Sequence, residues 1–207
     1  MAATAKYNTN NQGAHRFTMW LFIVSNSMVF AGFTSAFLVR KGGGGAWSSF
    51  TIPEIFKVST LLILLSSVFL QTAHIANKKQ HKLMTAVGLF FTLILGGLFC
   101  YFQIQGWKQL KDTGVYLSFN PNPAGPYFLV ITFIHALHVT VGLLFLIVAF
   151  IHSVILLRRP QSNDILNKIE SSEKGILNIR TDLLTLFWHF MGILWVYLYF
   201  FLTLNLK

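Results

Sequence analysis

The chain has 207 residues, of which 54% are hydrophobic and only 11% charged, and its mean hydropathy is +0.60. A soluble domain carries about 25% charged residues, so the composition excludes an ordinary soluble enzyme and defines an integral membrane protein. The formal net charge of +10 reads as a positive-inside bias and attraction to anionic headgroups. It does not read as nucleic-acid binding, because no loop carries the dense basic and aromatic surface that such binding uses.

The polar N-terminus, MAATAKYNTNNQGAHR, leads into an apolar run with no small-residue cleavage site. That run is expected to stay as a membrane span. About 20 consecutive apolar residues cross the hydrocarbon core as a helix, and five such spans are predicted, at 17–39, 55–75, 83–105, 126–157 and 182–206. The fold class is therefore all-α, a polytopic bundle of five transmembrane helices forming a single membrane domain over 1–207. At 32 residues the fourth span is about 48 Å long and must tilt or protrude.

Between the spans, KGGGGAWSSFTIPE ends the first helix with glycines and starts the second near Pro53. ANKKQHK is a tight basic turn, and NPNPAGP precedes the fourth helix. Gly42 to Gly45 lack the GK[ST] ending and preceding strand of a phosphate loop, so they read as a linker. With the N-terminus inside, inner segments hold ten Lys and Arg and outer segments six. The count predicts an N-terminus inside and a C-terminus outside.

No Asp or Glu falls in the middle of a span. A chain that pumps protons through its own helices needs intramembrane carboxylates or a histidine relay, so this one is not expected to be the coupling machine. The single cysteine, Cys100, excludes an internal disulfide and a CxxC metal site. The conspicuous polar stretch is TFIHALHVTVG, 132–142. His135 and His138 share a helix face, Gly142 lies one turn on, and His152 continues the stripe. Three readings stand. A metal site would normally add carboxylates, which are missing here. Haem ligation would need a partner on another helix, such as His189. The structural reading has the imidazoles hydrogen-bonded to neighbouring helices or to lipid headgroups.

Five motifs in chain order resemble subunit III of the haem–copper oxidases, the cytochrome c and quinol oxidase family. They are HRFTMWLFIVSNSMVFAGF, STLLILLSSVFLQTAH, GGLFCYFQIQGWKQL, TFIHALHVTVG and WHFMGILWVYLYF. The fourth is similar to the family's Thr-x-x-His-x-x-His-Val-x-x-Gly signature and the fifth to its Trp-His-Phe-x-x-x-x-Trp motif. The resemblance implies the short, five-helix bacterial form of a family whose long form has seven helices. It implies an accessory subunit of an aa3-type cytochrome c oxidase in the bacterial inner (plasma) membrane, active in aerobic electron transport. Such a subunit binds no redox metal and no cofactor of its own. Haem and copper reside in partner subunits. It packs on catalytic subunit I in a complex with subunit II, holds phospholipid between its helices, supports proton uptake and protects the catalytic site during turnover. The alternatives are a haem-binding redox subunit using His135, His138 and His189, or the related subunit of a quinol oxidase or nitric oxide reductase. Electron donor and membership of a respiratory supercomplex are left open.

On this resemblance the lipid-binding or structural residues are His135, His138, His152, Trp188, His189, Trp195 and Asn26. The helix-packing residues are Gly32, Gly96, Gly97 and Gly142, small enough for close helix approach. Departures from the family pattern are Asn26 for its intramembrane Glu, Gly192 for an Asp, His152 for an Arg and Gly106 for a Glu beside Trp107. Asp182 matches an acidic position seven residues before His189. These changes weaken any carboxylate-based proton role and leave scaffold and lipid roles intact.

Overall fold

A computed structural model describes residues 2–43, 47, 50–117, 123–158 and 164–206, with side chains placed except at 2–12 and 164–174. Gly44 and Gly45 of the glycine linker, most of NPNP, and Arg159 and Lys207 of the charge count lie outside the described residues, as do the side chains of Lys6, Lys168 and Lys174. Five helices follow in order: α1 Ala2–Gly42, α2 Ile55–Lys78, α3 Lys82–Asp112, α4 Ala124–Arg158 and α5 Asp164–Asn205. No strand occurs among the described residues. The stretches long and apolar enough to cross a membrane are Gly13–Gly42, Ile55–Lys78, Lys82–Asp112, Ala124–Arg158 and Gly175–Asn205. Each contains a predicted span apart from the last residue of the fifth, and the protein is a multi-pass membrane protein.

The helices outrun the apolar runs at both ends of the chain. α1 begins at Ala2 rather than 17, and α5 at Asp164 rather than 182. Hydrocarbon sets where residues must be apolar, but backbone hydrogen bonding continues until a breaker stops it. Each extension holds a single glycine and no proline.

The turn between α2 and α3 is a Schellman motif. His81 N–H donates to the Ala76 carbonyl over 2.9 Å and Gln80 N–H to Asn77 over 3.0 Å. The left-handed position is Gln80, with φ 61°. The same motif closes α3, where Val115 N–H reaches Leu110 and Gly114, φ 88°, fills the left-handed position.

α2 packs most extensively on α3. The pairs α3–α4, α4–α5 and α5–α2 complete a four-helix ring, and α1 lies against α4 and α5. The core is aromatic, with Trp188, Trp195, Phe30, Phe37, Phe56, Phe99 and Phe128 among its largest fully buried side chains. Outward faces carry Phe17, Leu61, Leu65, Phe133, Phe145 and Ile193, the surface expected against lipid or a membrane-embedded partner.

Candidate functional site: a hydrogen-bonded seam and a charged groove

Hydrocarbon offers polar side chains no water, so each must find a partner inside the protein. α2 supplies a row of hydroxyls for this purpose. Trp195 Nε1–H donates to Thr60 Oγ1 and Trp188 Nε1–H to Ser66 Oγ, both over 2.9 Å, and Gln103 Nε2–H donates to Ser59 Oγ over 3.2 Å. Each hydroxyl in turn donates to a carbonyl of its own helix: Thr60 and Ser59 to Phe56, and Ser66 to Ile63. A hydroxyl can accept and donate at once, so one small side chain answers both a buried indole and its own position. The pairings run in opposite directions along α2 and α5, as antiparallel helices require. Trp107 Nε1–H to Thr132 Oγ1, 3.1 Å, extends the seam to α3 and α4.

His135 belongs to this seam. It is fully buried, and its Nε2–H donates to the Met191 carbonyl of α5 over 3.1 Å. Its ring is walled by Trp195, Phe99 and Phe30, with centroids 5.0, 6.1 and 6.3 Å away. His138, three residues on, turns toward α1. It lies 6.1 Å from both Phe22 and Phe30, and its Nδ1–H donates to Ile134 of its own helix. His152 sits beside Arg180 of α5 at 3.4 Å. The predicted stripe thus divides between neighbours: His135, Gly142 and His152 toward α5, and His138 toward α1.

The packing glycines also divide. An added Cβ at Gly96 would lie 2.8 Å from the Trp188 ring, and one at Gly142 would lie 2.7 Å from Phe187 and 3.2 Å from Trp188. Gly32 and Gly97 meet nothing within 4 Å among the described residues, so neither packs against a described helix. Trp188 is fully buried between these elements and presents no surface to lipid; Trp195 is 1% exposed. Sequence reasoning missed Gly88, whose added Cβ would meet Ala73 at 2.7 Å where α2 and α3 touch. At Gly106, where the resembling family has a Glu, an added Cβ would lie 2.5 Å from the Phe56 ring, so a side chain would force that ring to shift. Asn26 is 5% exposed, and its Nδ2 has no partner among the described residues.

The second feature is a groove of about 400 Å³ between α1, α2 and α5. Arg16 donates to Asp182 Oδ2 over 2.6 Å, while His74 Nε2 and Lys78 Nζ approach Oδ1 at 3.4 and 3.7 Å. His189 lines the same groove, its Nδ1–H donating to Thr185 of its own helix over 2.7 Å. His74 Nδ1 and Thr185 Oγ1, both of lining residues, are buried without a partner among the described residues. Sequence reasoning noted Asp182 alone and did not join it to Arg16 and His74. The available signal was that each stands at the same expected side of its span.

His135, His138 and His189 are not gathered at one point. Among the described residues no group of three or more His, Cys, Asp or Glu is arranged to hold a metal ion.

The intramembrane tryptophans and the central histidine bind one helix to the next, and the result is a multi-pass helical membrane bundle. No family model matches the chain. Among its relatives, the cytochrome bo(3) ubiquinol oxidase subunit 3 of Buchnera aphidicola subsp. Baizongia pistaciae is 24% identical, over 96% of this chain and 95% of the relative. Cytochrome c oxidase subunit 3 of Oncorhynchus mykiss is 29% identical over 89% of this chain and 67% of the relative. That of Dasypus novemcinctus is 29% identical over 93% and 70%. The chain is thus similar, over most of its length, to subunit 3 proteins of ubiquinol and cytochrome c oxidases, and these relatives support the subunit III family of the haem–copper oxidases.

Proposed function

We propose that the chain is the accessory, non-redox subunit III of an aa3-type cytochrome c oxidase in a bacterial plasma membrane, with its N-terminus inside. In this reading it buttresses catalytic subunit I beside subunit II and keeps phospholipid against its outer faces near His138, His152 and His189. It thereby supports proton uptake during aerobic electron transport. The observation that carries the reading is the His135–Met191 hydrogen bond within its aromatic wall. The central imidazole, the side chain best suited to chemistry, joins α4 to α5. Its removal should loosen a scaffold rather than delete a reaction step.

The test is oxygen consumption by oxidase complexes with and without the chain, matched for haem. Initial turnover should survive and then decay faster without it. Complete loss of the first turnovers would assign chemistry to this chain.

A second reading, the corresponding subunit of a quinol oxidase, is favoured by the nearly end-to-end match with the bo(3) relative. Assaying the complex with reduced cytochrome c and with a quinol separates the two.

A further inference from the structure

We infer that the groove between α1, α2 and α5 is a headgroup site for a singly anionic phospholipid. The inference deepens the lipid-holding part of the proposed function, placing one lipid and naming its headgroup class.

The charge balance points to an anion. Asp182 is approached by three basic side chains, Arg16 at 2.6 Å, His74 at 3.4 Å and Lys78 at 3.7 Å. Even with His74 neutral, Arg16 and Lys78 outweigh one carboxylate by a single positive charge. Oδ2 of Asp182 accepts from Arg16, and Oδ1 faces His74 and Lys78, so basic groups already surround the one carboxylate that the ammonium of a zwitterionic headgroup would seek. Donors remain in excess. A guanidinium carries five N–H groups and an ammonium three, and the side chains of Arg16 and Lys78 are 64% and 59% exposed. The Thr185 hydroxyl, on a residue only 9% exposed, adds a buried donor with no acceptor among the described residues. A phosphodiester supplies what is missing: one negative charge and several acceptor oxygens.

The position points to a lipid. Arg16 immediately precedes the first apolar run, Lys78 ends α2, and Asp182 opens the fifth run, so the cluster lies at headgroup depth. The groove is walled by Trp20, 56% exposed, and by Leu183 and Leu186, which suit acyl chains leaving the phosphate. A volume of about 400 Å³ falls within the range of ligand clefts, about 300–1,000 Å³.

The test uses the full chain in detergent, stripped of phospholipid, with native mass spectrometry reading the bound fraction. It is titrated separately with dioleoyl phosphatidylglycerol, dioleoyl phosphatidylcholine and inorganic phosphate. Phosphatidylglycerol should bind at least about fivefold more tightly than phosphatidylcholine, the factor expected for one basic residue near a headgroup. Inorganic phosphate should bind more weakly than either lipid. Arg16→Gln and Lys78→Gln should each weaken phosphatidylglycerol about fivefold. Asp182→Asn should strengthen it, because a competing anion is removed.

Equal binding of the two lipids would overturn the inference, as would indifference to both Arg16→Gln and Lys78→Gln. Weakening by Asp182→Asn to the same extent would reduce the cluster to a structural ion pair. Phosphate binding as tightly as lipid would make it a soluble-anion site. Because the isolated chain is assayed, failure of the chain to co-purify with an oxidase would leave this result standing, and the reverse holds too.

Discussion

Trp188 of α5 donates its indole hydrogen to Ser66 of α2 over 2.9 Å while its ring edge lies against the bare backbone of Gly96 on α3. One side chain thus ties three helices together. A side chain at Gly96 would meet Trp188 at 2.8 Å and Leu143 at 2.9 Å. Gly96→Ala should therefore destabilise the chain by about 1–3 kcal/mol through overpacking. Gly97→Ala, with nothing within 4 Å, should stay within about 0.5 kcal/mol of the parent. Thermal unfolding of the two variants in detergent, read by tryptophan fluorescence, gives the comparison; equal losses would contradict this packing.

The Ser66 hydroxyl matters because the Trp188 N–H has nowhere else to go. Ser66→Ala should cost about 1–2 kcal/mol, the penalty of a buried donor left without an acceptor. Adding Trp188→Phe should recover less than the sum of the single losses, because the orphaned N–H is then gone. A double-mutant cycle on chemical unfolding measures that coupling, and strict additivity would show that the bond carries no energy.

Gln80 occupies the left-handed position of the α2–α3 turn at φ 61°, the place Gly114 takes at the end of α3. An L side chain there crowds its own backbone by roughly 1–2 kcal/mol, partly offset by the greater freedom of glycine in the unfolded chain. Gln80→Gly should raise stability by about 0.5–1 kcal/mol. A lower unfolding midpoint would mean that the Gln80 side-chain bond to the Asn77 carbonyl, 3.4 Å, outweighs the backbone relief.

Asn26 is buried with an amide nitrogen lacking a partner among the described residues. Asn26→Leu keeps the branched shape and removes that group, so it should be neutral or stabilise by up to about 1 kcal/mol. Steady-state oxygen consumption of the complex should stay within about twofold, a free-energy change of about 0.4 kcal/mol. A loss of turnover without loss of assembly would give Asn26 a part in proton movement after all.

His135→Phe should remove the hydrogen bond to Met191 while keeping an aromatic ring among Phe30, Phe99 and Trp195. The cost should be about 1 kcal/mol, with the haem absorbance of the purified complex unchanged per mole. Loss of one haem equivalent in this variant would favour the redox reading of the histidines.

The crossing segments were legible in the residues alone because hydrocarbon tolerates so few alternatives: about 20 apolar residues in a row must span as a helix. Pro53 and the ANKKQHK turn marked where helices start and stop for equally local reasons. Partnerships were not legible. His135 and His138 share a face by spacing, yet one binds α5 and the other rests against α1, because two helices contact that face of α4. Four glycines looked alike as packing positions, and only the arrangement of α3, α4 and α5 around Trp188 separates Gly96 and Gly142 from Gly32 and Gly97. Arg16 and Asp182 stand 166 residues apart, and nothing local announces their ion pair. Composition and periodicity determine what can enter a membrane and where it turns. Which side chains meet there is decided by close packing of helices distant in sequence, since in hydrocarbon a polar group is stable only where another helix brings its partner.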